Sequence, residues 1–255
     1  MKTVVPLCVL RSGSTVLSGV LHYLGVYMGK KSDLVKGQHV NKYGCFENQE
    51  FLTLSHKILY DAGTAAIYFD YPSEKKIRDS LNKNWTRVVK TIERNKREPY
   101  WGWKDPSSFH IMPYIDHLLE NPHYIILKRD VNQIANSIRK ITVQTNFYSS
   151  ISHELGLFKH HVYRAYLVIR IMSKYFANGN MIERENLVEQ VISNAYMKMK
   201  RFTKNKKVLV INFDDLINNS EKTIKEVIKF LGMKYDKKNF DKALNFIHPE
   251  LVKFK

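Results

Sequence analysis

The chain has 255 residues, with 41 Lys+Arg against 24 Asp+Glu, a net charge of +17, and 44% hydrophobic residues. Such a composition excludes disorder, collagen and coiled coil, and the length fits one α/β domain or two small ones. With no linker, low-complexity tract or repeat in the sequence, a single domain spanning 1–255 is expected. The cationic excess points to an anionic partner: nucleic acid, a phospholipid surface or a phosphorylated small molecule.

The first element is a short β-branched run, Val4 to Leu10, which reads as a buried strand. It resembles the apolar part of a secretion signal only superficially. The run stops at Arg11 with no small-residue cleavage site, so the expected compartment is the cytoplasm. Cys8 and Cys45 are too few and too separated for a disulfide framework. After the turn Arg11-Ser12-Gly13-Ser14, Val16, Leu17, Val20, Leu21 and Leu24 recur at helical spacing up to Gly25.

From Lys30 to Gly44 the pattern is that of a loop. Helices are expected from Asn48 through Tyr60 and across the charged stretch Ser73 to Glu98. A short aromatic strand within Tyr100–Pro106 and a brief amphipathic segment from Pro113 to Leu119 come next. Tyr124 to Leu127 is a second buried strand, followed by a helix from Val131 to Ile141. Long helices are expected over Ser152–Phe176 and Arg184–Phe202, and a further strand over Val208–Ile211. Ser220 is placed to cap a last helix, whose Ile224, Val227, Ile228 and Leu231 share one face up to Gly232. Strands alternating with helices predict a mostly parallel central sheet flanked by helices.

Two segments carry anion chemistry. In the turn after the first strand, Arg11 adds a full charge and Gly13 admits close backbone approach. Ser12, Ser14 and Thr15 add hydroxyls at a helix N-terminus, where unpaired N–H groups favour an anion. The turn lacks the G-x-x-x-x-G-K-[ST] pattern of an ATP-binding loop. Further on, Arg129 stands at a strand end and Ser137 lies eight residues later, two turns into the next helix.

Together these segments resemble the sulfotransferase family that uses 3′-phosphoadenosine 5′-phosphosulfate (PAPS), in its bacterial-type branch. Arg11-Ser12-Gly13-Ser14-Thr15 is similar to the family's [K/R]-S-G-T-[T/S] loop for the 5′-phosphosulfate. Arg129 and Ser137 match its 3′-phosphate pair in type and spacing. Trp101-Gly102-Trp103-Lys104-Asp105-Pro106, Gly44-Cys45-Phe46-Glu47-Asn48 and Ile211-Asn212-Phe213-Asp214-Asp215-Leu216 with Phe230-Leu231-Gly232 resemble further family segments, in family order. Leu10 stands where the family has proline and Ser14 where threonine is commoner, and the R-K-G segment is absent after Gly232.

The resemblance implies a P-loop nucleoside triphosphate hydrolase-like fold. It also implies transfer of a sulfuryl group from PAPS to an acceptor hydroxyl or amine, releasing 3′,5′-ADP, with no metal required. Lys104 is the expected contact to the sulfuryl group or leaving oxygen, its plain alternative being an ion pair with Asp105 or another carboxylate. Glu47 is the leading general base and His39 the runner-up. Tyr60, Tyr68, Phe69 and Tyr71 are candidates to wall an acceptor pocket or simply to fill the core. Two other readings stay open. One is an ATP-dependent, kinase-like phosphotransferase. The other is a basic nucleic-acid binder using Lys198, Lys200, Arg201, Lys204, Lys206 and Lys207.

Overall fold

A computed structural model describes residues 1–35, 44–63, 72–144 and 186–247. His39, Tyr68, Phe69, Tyr71 and the helix expected over Ser152–Phe176 lie outside them. The strands are β1 (Lys2–Leu7), β2 (Tyr100–Gly102), β3 (Pro122–Lys128) and β4 (Val208–Asn212). They form one sheet in the order β2-β1-β3-β4, every neighbouring pair parallel. The helices are α1 (Ser14–Leu24), α2 (Gln49–Asp61), α3 (Glu74–Asn95), α4 (Met112–Ile115), α5 (Val131–Gln144), α6 (Leu187–Thr203), α7 (Phe213–Asn218), α8 (Ser220–Leu231) and α9 (Lys237–Phe246).

The period-two alternation of the strands splits the core into two layers. Val5 and Leu7 of β1, with Tyr124 and Ile126 of β3, face a cluster built by α2, α3, α5 and α6 and centred on Trp101 and Trp103. Val4, Ile125, Leu127 and Ile211 face the other way, onto α1, α7, α8 and α9. Gly102 is required where β2 meets β1. A Cβ there would stand 1.8 Å from the Val4 carbonyl oxygen, so any side chain would force the strands apart.

Several sequence expectations shift. β1 ends at Leu7 rather than Leu10, because Cys8, Val9 and Leu10, although apolar, already turn toward the loop. The segment Pro113 to Leu119 resolves into α4 and a 3-10 turn at Asp116–Leu118. Ser220 does not cap α8. It is the first helical residue, and its hydroxyl donates back to the carbonyls of Leu216 and Ile217. α9 was not expected; Phe240, Ala243 and Phe246 give it a narrow buried stripe that packs on α1 among exposed lysines.

Candidate functional site

Three candidate cations follow three adjacent strands. Lys104 lies just past β2, Arg11 in the loop after β1, and Arg129 at the residue after β3. Phe213, the residue after β4, completes the row. The carboxyl ends of an open parallel sheet are where such folds place ligands, because each strand there releases its chain into a loop.

The loop after β1 is held by its own backbone. Ser12 is fully buried, and its hydroxyl donates to the Val9 carbonyl at 2.7 Å, so its side chain closes the loop. Arg11 and Gly13 both take left-handed conformations, with φ of 66° and 91°. Gly13 is the N-cap of α1; no side chain caps this helix and its first turn holds no acidic residue. The first N–H groups, at Ser14 and Thr15, therefore leave the positive end of the helix dipole open to an anion. A Cβ on Gly13 would lie 2.2 Å from the Phe213 ring, so only glycine fits.

The structure brings the two predicted anion segments into direct contact. Arg11 Nε donates to Ser137 Oγ at 3.1 Å, and Arg129 Nη1 donates to the Arg11 carbonyl at 3.1 Å. Arg129 Nε also donates to Gln133 Oε1 at 3.1 Å, while its guanidinium lies 4.4 Å from the Phe213 ring centroid. Burial lowers its pKa, against the opposing pull of Asp214, Tyr196 and Asp130. The Arg129 N–H donates to the Tyr196 hydroxyl at 3.1 Å, which ties this strand end to α6. Asp130 does not hydrogen-bond Arg129; its carboxylate accepts from the Gln133 N–H and starts α5.

The second half of the site is more deeply buried. Lys104 is 2% exposed and donates to Glu47, itself only 13% exposed. The plain alternative for Lys104, an ion pair with some carboxylate, is thus met by the other catalytic candidate. Burial pulls the Lys104 pKa down, but Glu47, Cys8 and Cys45 outweigh it and hold the ammonium above its ordinary value. Asp105 makes no hydrogen bond to Lys104. Its Oδ1 accepts from the Ser107 N–H at 2.8 Å, its Oδ2 is buried without a hydrogen-bond partner, and burial pushes its pKa up to about 6. Beneath the pair, burial pushes the Cys8 thiol up to about 12, against the opposing pull of Lys104 and Ser14.

Glu50, one turn beyond Glu47, belongs to the scaffold. It accepts from Thr91, Arg94 and Asn95 and so joins α2 to α3. Tyr60 is a core residue at 3% exposure. Within the expected basic cluster, Lys206 pairs with Asp116 and Lys207 donates to Asn121. Sequence reasoning missed Phe213 as a site residue; the signal available was its place at a strand end inside a family-like segment. A wide depression of about 690 Å³ lies elsewhere, along α8, lined by residues including Ser220, Lys222, Lys225 and Lys229. It holds none of the candidate residues, and its lysines alternate with glutamates. Among the described residues no group of three His, Cys, Asp or Glu is arranged for a metal, and no helix is long and apolar enough to cross a membrane.

Residues 4–237 match the sequence pattern of the sulfotransferase family. In fold, the chain is similar to the sulfotransferase domain of a Synechococcus olefin synthase. That domain is 16% identical over 100% of this chain and 83% of its own, with a TM-score of 0.50. The sulfotransferase domain from the curacin biosynthetic pathway is 17% identical over 92% of this chain and 75% of its own, at a TM-score of 0.46. A mouse sulfotransferase complexed with PAP is 12% identical over 100% of this chain and 67% of its own, at 0.48. No curated protein matches.

Proposed function

Because the chain belongs to the sulfotransferase family, we propose that it moves a sulfuryl group from PAPS to an acceptor hydroxyl or amine and releases 3′,5′-ADP. The observation that carries this reading is the convergence of Lys104, Arg11 and Arg129 past three adjacent strands, around an uncapped helix N-terminus. A nucleotide with two separate anionic groups is what such a set of donors suits. Arg11, the N–H groups of Ser14 and Thr15, and the Gly13 backbone take the 5′-phosphosulfate. Arg129 and Ser137 take the 3′-phosphate.

In the reaction, the acceptor heteroatom attacks sulfur and gives up its proton to the Glu47 carboxylate. The bond from sulfur to the bridging oxygen breaks, and its electron pair stays on that oxygen as 3′,5′-ADP departs. Arg11 and the N–H groups of Ser14 and Thr15 stabilise the charge developing there, while Lys104 holds the oxygens of the transferring sulfuryl group, in a setting that needs no reorganisation of solvent. Glu47 stands beside Lys104, so the base and the electrophilic cation serve the two ends of the same displacement.

Calorimetry with 3′,5′-ADP and 5′-AMP at fixed salt tests the donor assignment. The expected result is a clear preference for 3′,5′-ADP, which Arg129→Ala largely abolishes. Equal affinity for both nucleotides in folded protein overturns it. Sulfuryl transfer should also persist in the presence of chelator, whereas a kinase-like phosphotransfer would stop.

A further inference from the structure

We infer that Glu47 sets the protein's selectivity between the sulfated donor and its desulfated product, by competing with the donor's sulfuryl group for Lys104. The inference rests on the PAPS reading above and concerns the same site. In the ligand-free protein the two charges hold each other: Lys104 donates to Glu47, and both are largely out of water. Each is the other's compensation, and removing either leaves a buried charge without a partner.

The contact is built into the chain rather than incidental. Phe46, immediately before Glu47, has φ of 51°, a left-handed conformation that a bulky aromatic adopts only when its surroundings force it. Its ring is wedged between His22 and Phe246, at centroid distances of 5.3 and 5.4 Å. The Glu47 carbonyl accepts from the Val35 N–H at 2.8 Å. Asn48 caps α2 with its side-chain oxygen and donates to Asn95 at 3.0 Å. Three consecutive residues are therefore fixed, and the carboxylate of the middle one is aimed at Lys104. The neighbouring carboxylate, Asp105, accepts from the Ser107 N–H and makes no hydrogen bond to Lys104.

A sulfuryl group reaching Lys104 shares or takes over an ammonium already held by Glu47, and the carboxylate so loosened is freer to receive the acceptor's proton. The desulfated nucleotide asks for no such exchange. PAPS thus gains less from Lys104 than an unpartnered ammonium would give it, and the difference is set by Glu47.

The test is calorimetric and needs no acceptor: PAPS and 3′,5′-ADP are titrated into wild type, Glu47→Gln, Lys104→Met and the double variant. Glu47→Gln keeps the side chain's size, removes its charge and leaves Lys104 without its competitor. PAPS should then bind at least about tenfold more tightly, the scale of one charge-assisted hydrogen bond. Affinity for 3′,5′-ADP should stay within about twofold, because that nucleotide lacks the group in competition. In the Lys104→Met background the Glu47→Gln change should alter neither affinity. General damage to the site would weaken PAPS binding, so the expected sign is opposite to that of a structural defect. Should Glu47→Gln fail to give a cooperative melt, Glu47→Asp, which draws the carboxylate back by one methylene, carries the same test with a smaller gain. Unchanged or weakened PAPS binding in a folded variant that still binds 3′,5′-ADP overturns the inference. A wild-type protein that does not prefer 3′,5′-ADP over 5′-AMP overturns the donor reading itself, and this inference falls with it.

Discussion

The two halves of the site handle positive charge in different ways. Around Arg11 and Arg129 the guanidinium groups are only partly buried, and they meet a serine hydroxyl, a glutamine, a backbone carbonyl and an aromatic face among other groups. Asp214 and Asp130 also act on Arg129 electrostatically. Around Lys104 the ammonium is almost fully buried and hydrogen-bonded to a carboxylate. In the proposed reaction the first half docks the anionic nucleotide, on a loop whose shape is set by backbone. The second keeps its charge compensated until something exchanges with it, because a lone buried ammonium would be costly. On the proposed function, one half serves affinity and the other chemistry.

Removing Lys104 should break this contrast most sharply. In Lys104→Met the Glu47 carboxylate is left buried without its cation, and the fold should lose about 3 kcal/mol in urea melts. Turnover in a sulfuryl-transfer assay should fall by roughly 10²–10³-fold, as expected for loss of a donor to developing charge. Affinity for 3′,5′-ADP should change little. Next in size, Gly13→Ala drives a methyl into the Phe213 ring at a left-handed position. It should cost about 2–3 kcal/mol in stability and remove nucleotide binding measured by calorimetry, so here the docking half should prove the fragile one.

A third test uses acid. Asp105, raised to about 6, binds more proton folded than unfolded between about pH 4 and 6, so its own term weakens the fold as pH rises through that window. His56 and His110, lowered by burial to about 4 and about 3, act in the opposite sense. They take up protons only on unfolding, so acidification destabilises the protein through them. Asp105→Asn removes the first effect and keeps the second. Between pH 7 and 4.5 the variant should lose more stability than wild type, by on the order of 2 kcal/mol, read from urea midpoints at each pH. The smallest effect is expected far from both halves. Lys225 and Glu221 form an exposed pair one turn apart on α8, and Lys225→Ala should leave the urea midpoint unchanged within error.

Much of the docking half was legible in the sequence, because it is local. An apolar run, a Gly/Ser turn and a helical repeat place Arg11 to Thr15 without any tertiary knowledge, and Arg129 with Ser137 follow from one strand and one helix. The Arg11–Ser137 hydrogen bond was not legible, since it joins residues distant in the chain that only the β1–β3 pairing brings together. Lys104 and Glu47 were each readable as chemistry, yet their mutual pairing depends on how α2 packs against the end of β2. Phe213 escaped notice because an aromatic at a strand end reads as core, and it is core; it also happens to face a glycine and an arginine that matter. α9 escaped because three spaced apolar residues among lysines make a weak stripe until α1 supplies a surface for them.

The all-parallel pairing of the sheet has a kinetic consequence. Leu7 lies beside Ile126, and Val4 beside Gly102, so the cations after β1, β2 and β3 become neighbours only when long crossover segments have closed. A ligand gripping all three has nothing to hold until the sheet is assembled, and so cannot guide the steps that assemble it. Its stabilisation should therefore appear in the unfolding rate, slowed in proportion to occupancy, with the refolding rate left as it is without ligand.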